Sequence, residues 1–216
     1  MRGRKFFVLV SLLAATACGF ARPVAAVDVV AGAKGGYALT DLIGENDEGA
    51  NSKNSGLVGV LLGWEINSWF SAHIEPVWTQ KGAELENFQF GELASKITLD
   101  YFEIPVLGRF RYPIPETKKQ GPVGVVGPVL SINTKAEITF AGGDENIVEF
   151  VHDVDFGFVV GAGYDLAIGT GTTTIEVRYV VGLSEVFESN SPSPEFTGNL
   201  RNGALQVTVG WFKTFF

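Results

Sequence analysis

The chain has 216 residues, 46% of them hydrophobic, 19% charged and 12% aromatic, which is too apolar for a disordered chain and the right size for one domain. One cysteine rules out a disulfide scaffold, and 27 glycines without a strict period rule out a collagen repeat. The formal charge of −8 repels phosphate backbones, so no nucleic-acid partner is expected.

Met1 to Ala26 reads as a secretory signal peptide: Arg2, Arg4 and Lys5 precede an apolar run from Phe6 to Ala17, and Val24-Ala25-Ala26 supplies small residues for cleavage. Removal would take away four of the 16 basic residues (Arg2, Arg4, Lys5, Arg22) and none of the 24 acidic ones, moving the charge to −12. It would also remove Cys18, which suits an oxidising compartment beyond the inner membrane. The rival reading is a lipoprotein acylated at Cys18, although Ala15 stands where such signals usually carry Leu. No run reaches the roughly 20 apolar residues that a spanning helix needs.

From Val27 onward apolar residues recur at every second position, the period of a strand. Val27, Val29, Ala31, Ala33, Tyr37 and Leu39 form the first apolar face. In the second segment Val58, Val60, Leu62, Trp64 and Ile66 oppose Gly59, Leu61, Gly63 and Glu65, and Asn67-Ser68 marks a tight turn. In the third, Ala72, Ile74 and Trp78 oppose Ser71, His73, Glu75, Thr79 and Lys81. In the fourth, Phe102, Ile104, Val106, Phe110 and Tyr112 oppose Glu103, Pro105, Leu107, Arg109 and Arg111. The fifth, Val123 to Phe140, has mixed parity, and Pro122 and Pro128 suggest a bulge or an irregular start.

The sixth segment sets Val154, Phe156, Phe158, Val160, Ala162, Tyr164 and Leu166 against Asp155, Gly157, Val159, Gly161, Gly163 and Asp165. The seventh sets Thr173, Ile175, Val177, Tyr179, Val181 and Leu183 against Thr174, Glu176, Arg178, Val180, Gly182 and Ser184. The last carries Leu205, Val207, Val209, Trp211 and Phe215 on one face. Long polar connections (Thr40 to Ser55, Gly82 to Ser95, Ala141 to His152, Val186 to Asn202) alternate with short ones (Asn67-Ser68, Pro113 to Gln120, Ile168 to Gly171). Bacterial outer-membrane barrels have this even strand number and this alternation of turns and outer loops. Eight strands of about 10 residues each suffice to cross the bilayer.

A soluble barrel of lipocalin type would show the same alternation with its apolar face inward. That arrangement would leave Gly59, Gly63, Gly157, Gly161, Gly163 and Gly182 in solvent, where smallness serves nothing. With the apolar face turned to lipid, these glycines share a narrow lumen with Glu65, Glu75, Glu103, Arg109, Arg111, Asp155, Asp165, Glu176 and Arg178, and both signs are available for buried pairing. Tyr37, Trp64, Trp78, Tyr112, Tyr179 and Trp211 are then placed for the membrane interfaces. The chain ends in Phe215-Phe216 after an alternating strand.

Glu75-Pro76-Val77-Trp78-Thr79-Gln80-Lys81-Gly82, Tyr101-Phe102-Glu103-Ile104-Pro105-Val106-Leu107 and Gly127-Pro128-Val129-Leu130, in this order, resemble motifs of the PorT-like outer-membrane β-barrel family. The resemblance spans essentially the whole mature chain. It implies an eight-stranded barrel of mostly unassigned function.

Catalytic signatures are sparse. His73 and His152 are the only histidines, one on a strand and one in a connection, and no spacing joins them in a metal site. His73 is expected to hydrogen-bond a lumen neighbour such as Glu75 or an arginine. His152-Asp153 at the outer rim is the best enzymatic candidate, yet no Gly-x-Ser-x-Gly nucleophile motif occurs. Gly161-Ala162-Gly163 and Gly169-Thr170-Gly171 lack the Lys-Ser/Thr and following helix of a phosphate loop, and read as strand interior and turn. Acidic residues gather in the outer connections (Asp41, Glu45, Asp47, Glu48; Glu84, Glu86, Glu92; Asp144, Glu145, Glu149), where divalent cations are a minor alternative to plain solvation.

The expectation is an all-β, eight-stranded antiparallel up-and-down transmembrane barrel over residues 27–216, in the bacterial outer membrane with lipid as its surroundings. No catalytic residue, metal or cofactor is expected, and the role is structural or surface-interacting. A narrow channel, a lipid-modifying or proteolytic barrel and a soluble periplasmic carrier are the alternatives.

Overall fold

The computed structural model describes residues 27–43, 50–85, 94–112, 114–115, 120–140, 143–146, 151–184 and 201–215. The proposed signal peptide lies outside the described residues, as do Glu45, Asp47, Glu48, Glu86, Glu92 and Glu149 of the acidic connections. In chain order the strands are β1 (Asp28–Ile43), β2 (Ala50–Glu65), β3 (Phe70–Ile74), β4 (Val77–Lys81), β5 (Ala83–Leu85), β6 (Ala94–Arg111), β7 (Gly121–Phe140), β8 (Gly143–Asn146), β9 (Val154–Ile168), β10 (Gly171–Gly182) and β11 (Arg201–Phe215).

These segments make eight staves. β3, β4 and β5 lie end to end as one, all of them between β2 and β6, and β8 is a short outer extension paired with the end of β7. The other seven staves are β1, β2, β6, β7, β9, β10 and β11, each antiparallel to its neighbours. β1 pairs with β11 from Val29↔Phe215 to Ile43↔Arg201, which closes the sheet on itself. The fold is an all-β, closed eight-stranded antiparallel barrel. Among the described residues closure leaves no open edge between the eight staves, and that is the condition for a sheet to cross hydrocarbon.

The third stave is interrupted at Glu75-Pro76 because proline has no N–H to give the ladder. The break is local: Leu62↔Ile74 and Gly59↔Val77 keep one register across it. The main chain stays bonded there, with Glu75 N donating to Pro105 O at 3.0 Å and Val60 N donating to Pro76 O at 3.0 Å.

The fifth segment differs from expectation in where its irregularity falls. Its start is regular, with Val123, Val125, Gly127, Val129 and Ser131 inward and Pro122 and Pro128 outward. The irregularity comes later: Asp100↔Lys135 is followed by Tyr101↔Asn133, so Thr134 is an extra residue, a bulge, with its hydroxyl donating to Asp100 O at 3.0 Å. One extra residue inverts the parity, so the next inward residue is the even-numbered Ala136.

The staves are also longer than the span requires. β6 has 18 residues and β7 has 20, and β1 pairs with β2 as far as Thr40↔Lys53, inside the expected connection. A ladder needs only main-chain partners, so pairing continues into polar sequence where the outward face no longer has to be apolar.

Short turns and both ends of the barrel lie on one side. Asn67 shapes the first turn by accepting hydrogen bonds on its side-chain oxygen from Trp69 N and Phe70 N, at 3.0 and 2.8 Å. Gly169 in the β9–β10 turn has φ 63°, a conformation that favours glycine. Outward are Val58, Val60, Leu62, Phe156, Val160, Ile175, Val177, Val207 and Val209, all exposed. The exposed Trp64 lies opposite Val29, eight residues along β1 from the exposed Tyr37. At about 3.3 Å per residue and a tilt near 40°, these rings stand roughly 20 Å apart along the axis, close to the height of an outer-membrane apolar band.

Candidate functional site

The inward face is the candidate site, because that is where polarity is buried. The staves place Lys34 (β1), Glu75 (between β3 and β4), Arg109 and Arg111 (β6), Asp165 (β9), and Glu176 and Arg178 (β10) in one connected cluster, with Glu65 (β2) at its periplasmic rim. Glu75 is its hub. It accepts Lys34 Nζ at 2.7 Å and takes Arg178 in a fork, Nη1 to Oε2 at 2.6 Å and Nη2 to Oε1 at 3.1 Å. Arg109 Nη2 donates to Asp165 at 3.0 Å, Thr174 at 3.1 Å and Glu176 at 2.7 Å. Arg111 bridges Asp165 at 2.8 Å to Glu65 at 3.4 Å.

The cations Lys34, Arg109, Arg111 and Arg178 match the carboxylates Glu65, Glu75, Asp165 and Glu176 one for one. Desolvating ions is tolerable only with such pairing. Phe212 also points inward and lies under the Arg109 guanidinium, 5.6 Å from ring centroid to carbon, with Val30 and Leu61 beside it.

Above this cluster, towards the outer side, the inward residues become apolar. Val159, Val180 and Ala204 are direct cross-strand partners, and with Leu107 and Val129 they form a buried layer across β6, β7, β9, β10 and β11. Beyond it a second polar group contains Glu103, paired with Lys81 at 2.5 Å and with Ser131 at 3.1 Å. Asp155 accepts the Tyr101 hydroxyl at 2.7 Å.

The nine charged residues singled out in sequence therefore divide between two levels. Glu65, Glu75, Arg109, Arg111, Asp165, Glu176 and Arg178 meet in the periplasmic-side cluster, while Glu103 and Asp155 lie on the outer side of the apolar layer. Sequence reasoning missed Lys34 as a member, although its position between the outward Ala33 and the next even inward residue on β1 carries the parity signal. It also left Lys81 without a partner and Tyr101 without a role.

His73 departs from expectation. Its Nδ1 stands 3.7 Å from Glu75 Oε1, beyond hydrogen-bond reach, because Lys34 and Arg178 already hold that carboxylate, and the ring rests edge-on against Phe212 at 5.9 Å. His152 is exposed just ahead of the outer start of β9, so the two histidines occupy opposite ends of the barrel. Among the described residues no three His, Cys, Asp or Glu side chains group as metal ligands. Gly161-Ala162-Gly163 lies inside β9, and Gly169-Thr170-Gly171 forms the turn into β10.

A closed eight-stranded barrel with an apolar exterior and a buried ionic interior agrees with what the comparisons return. A family model described as outer membrane protein beta-barrel domain matches residues 26–188. The chain belongs to that family. It is accordingly a protein of the bacterial outer membrane. Among solved structures it is similar to Ail, the attachment invasion locus protein of Yersinia pestis, in complex with the heparin analogue sucrose octasulfate (15% identity, 86% of this chain and 99% of that chain, TM-score 0.45). It is also similar to Neisserial surface protein A (16% identity, 84% and 95%, TM-score 0.48). A third is the outer membrane protein OprG from Pseudomonas aeruginosa (13% identity, 88% and 96%, TM-score 0.48). No curated protein matches the sequence.

Proposed function

We propose that this outer-membrane barrel is a non-conducting, non-enzymatic scaffold whose work is done by its outer surface, in a structural or surface-interacting role. The observation that carries the reading is the buried layer of Leu107, Val129, Val159, Val180 and Ala204 between two polar levels. Along these five staves an ion or solute moving past the layer would shed hydration against carbon. The ion cluster beneath, balanced in charge, leaves little spare field to draw a permeant ion. Planar-bilayer recordings of the purified barrel test the reading: no discrete single-channel steps are expected, and steady unitary conductance would overturn it.

The PorT-like motifs around Gln80-Lys81-Gly82, Glu103-Ile104-Pro105 and Gly127-Pro128 support placing the chain in that branch of barrels. The mature protein begins at Val27 in this reading, and mass spectrometry of the membrane-extracted chain would check the cleavage site. Its outer connections, rich in Asp and Glu, would offer partners an acidic surface. Purified protein is expected to show no hydrolysis of lipid A, phospholipid or peptide that depends on His152.

A further inference from the structure

Lys213 interrupts an otherwise apolar exterior. On β11 it shares the outward face with Leu205, Val207, Val209, Trp211 and Phe215, all of them exposed. Phe215 stands in one row with Val29 and Trp64 at the periplasmic edge of the apolar band. Lys213 lies in the next row towards the bilayer centre, opposite Ala31, whose other neighbour is Leu62. Two residues along a strand tilted near 40° place that row roughly 5 Å inside the edge. Outward charges such as Asp100, Lys135, Glu137 and Arg201 stand instead in the outer parts of their staves. Among the described residues Lys213 is the one charged side chain on the lipid-facing wall of the periplasmic half.

The ammonium has no protein counter-ion. Its Nζ lies 5.7 Å from the Phe215 ring centroid, so the stem runs towards the periplasmic edge, and among the described residues no carboxylate pairs with it. A lysine so placed buries its methylenes and carries its charge to the headgroup level. Small neighbours leave that charge open to the bilayer. On one side Ala31 offers a single methyl group. On the other the β10 ladder ends at Thr172↔Phe212 beside Gly171, where an added Cβ would stand 2.6 Å from Trp211 Cε2. From Ala31 the outward face of β1 continues through Ala33 and Gly35, between Trp211 and Val209 on β11 and Leu62 and Val60 on β2. Those walls stand two strand spacings apart, about 9.6 Å, which leaves a furrow about one hydrocarbon chain wide.

We propose that Lys213 holds the phosphate of one anionic phospholipid of the periplasmic leaflet, with an acyl chain lying along Ala31, Ala33 and Gly35. The charge requires an anion, because no carboxylate neutralises the ammonium. The position selects a lipid, because the rows around it face hydrocarbon. An ethanolamine headgroup brings its own ammonium to its phosphate, whereas a glycerol headgroup does not. Phosphatidylglycerol therefore presents the uncompensated charge that one lysine balances.

Native mass spectrometry of the mature barrel, released from micelles containing equal amounts of phosphatidylglycerol and phosphatidylethanolamine, tests the proposal. A single phosphatidylglycerol adduct is expected, favoured over phosphatidylethanolamine about fivefold, the factor that one basic residue near an anionic surface supplies. Lys213→Leu should bring the ratio close to one, and Lys213→Arg should keep it. Lys213→Gln gives an independent reading should Lys213→Leu lose its heat-modifiable gel mobility. Equal retention of the two lipids, a preference that survives in the folded Leu or Gln variant, or a dimer of the chain in place of a lipid adduct would overturn the proposal.

Discussion

Arg178 and Glu75, 103 residues apart in sequence, meet across the barrel interior in a two-pronged ion pair with both side chains buried. Glu75 stands next to Pro76, where the third stave is interrupted, so the ion pair ties that break to β10. Arg178→Ala and Glu75→Gln are each expected to cost about 3–5 kcal/mol, since each strands buried charge. In a double-mutant cycle the pair should show a coupling of about 1–3 kcal/mol. Urea unfolding in micelles followed by tryptophan fluorescence gives the numbers, and additive effects would show that the pair is not energetically linked.

Gly163 lies opposite Glu176, and a Cβ there would stand 2.2 Å from Ile175 O and 2.6 Å from Glu176 Cγ. Gly163→Ala is therefore expected to destabilise the barrel by about 1–3 kcal/mol or to block folding, as overpacking does. Gly124→Ala, with no atom within 4 Å of the added methyl, serves as the control and should be close to neutral. The heat-dependent gel shift of the two variants compares them directly, and equal behaviour would contradict the packing described.

Val60 faces outward at mid-height, opposite Ala33 on β1, between the levels of Trp64 and Tyr37. Val60→Arg should cost about 2–4 kcal/mol if that height is the bilayer centre, whereas arginine near an interface costs about 0–1 kcal/mol. His152→Arg at the exposed outer rim supplies the comparison. Equal unfolding free energies for the two would place Val60 away from the hydrocarbon.

Much of this architecture was legible because a strand assigns faces by parity, and parity is local. Val154 to Leu166 and Thr173 to Leu183 face as their alternation requires, and the outward aromatics follow. What stayed hidden depends on closure. Lys34 finds Glu75 and Glu176 only once the stagger of the staves is fixed, and no short stretch of sequence encodes that stagger. Thr134 concealed the pattern of β7 by adding one residue, after which odd and even exchange sides. The reach of β6 and β7 beyond the bilayer was illegible for a simpler reason: main-chain pairing leaves no mark on side-chain polarity.

The seam between β1 and β11 bears on how the molecule comes into being. Any assembly of seven staves would present two rows of unsatisfied amides and carbonyls to the acyl chains, and each such group costs several kcal/mol in hydrocarbon. The fifteen residues of β11 thus act as a keystone. Insertion must wait for them, and a chain cut short at Leu200 should remain outside the bilayer rather than enter it as a partial ring.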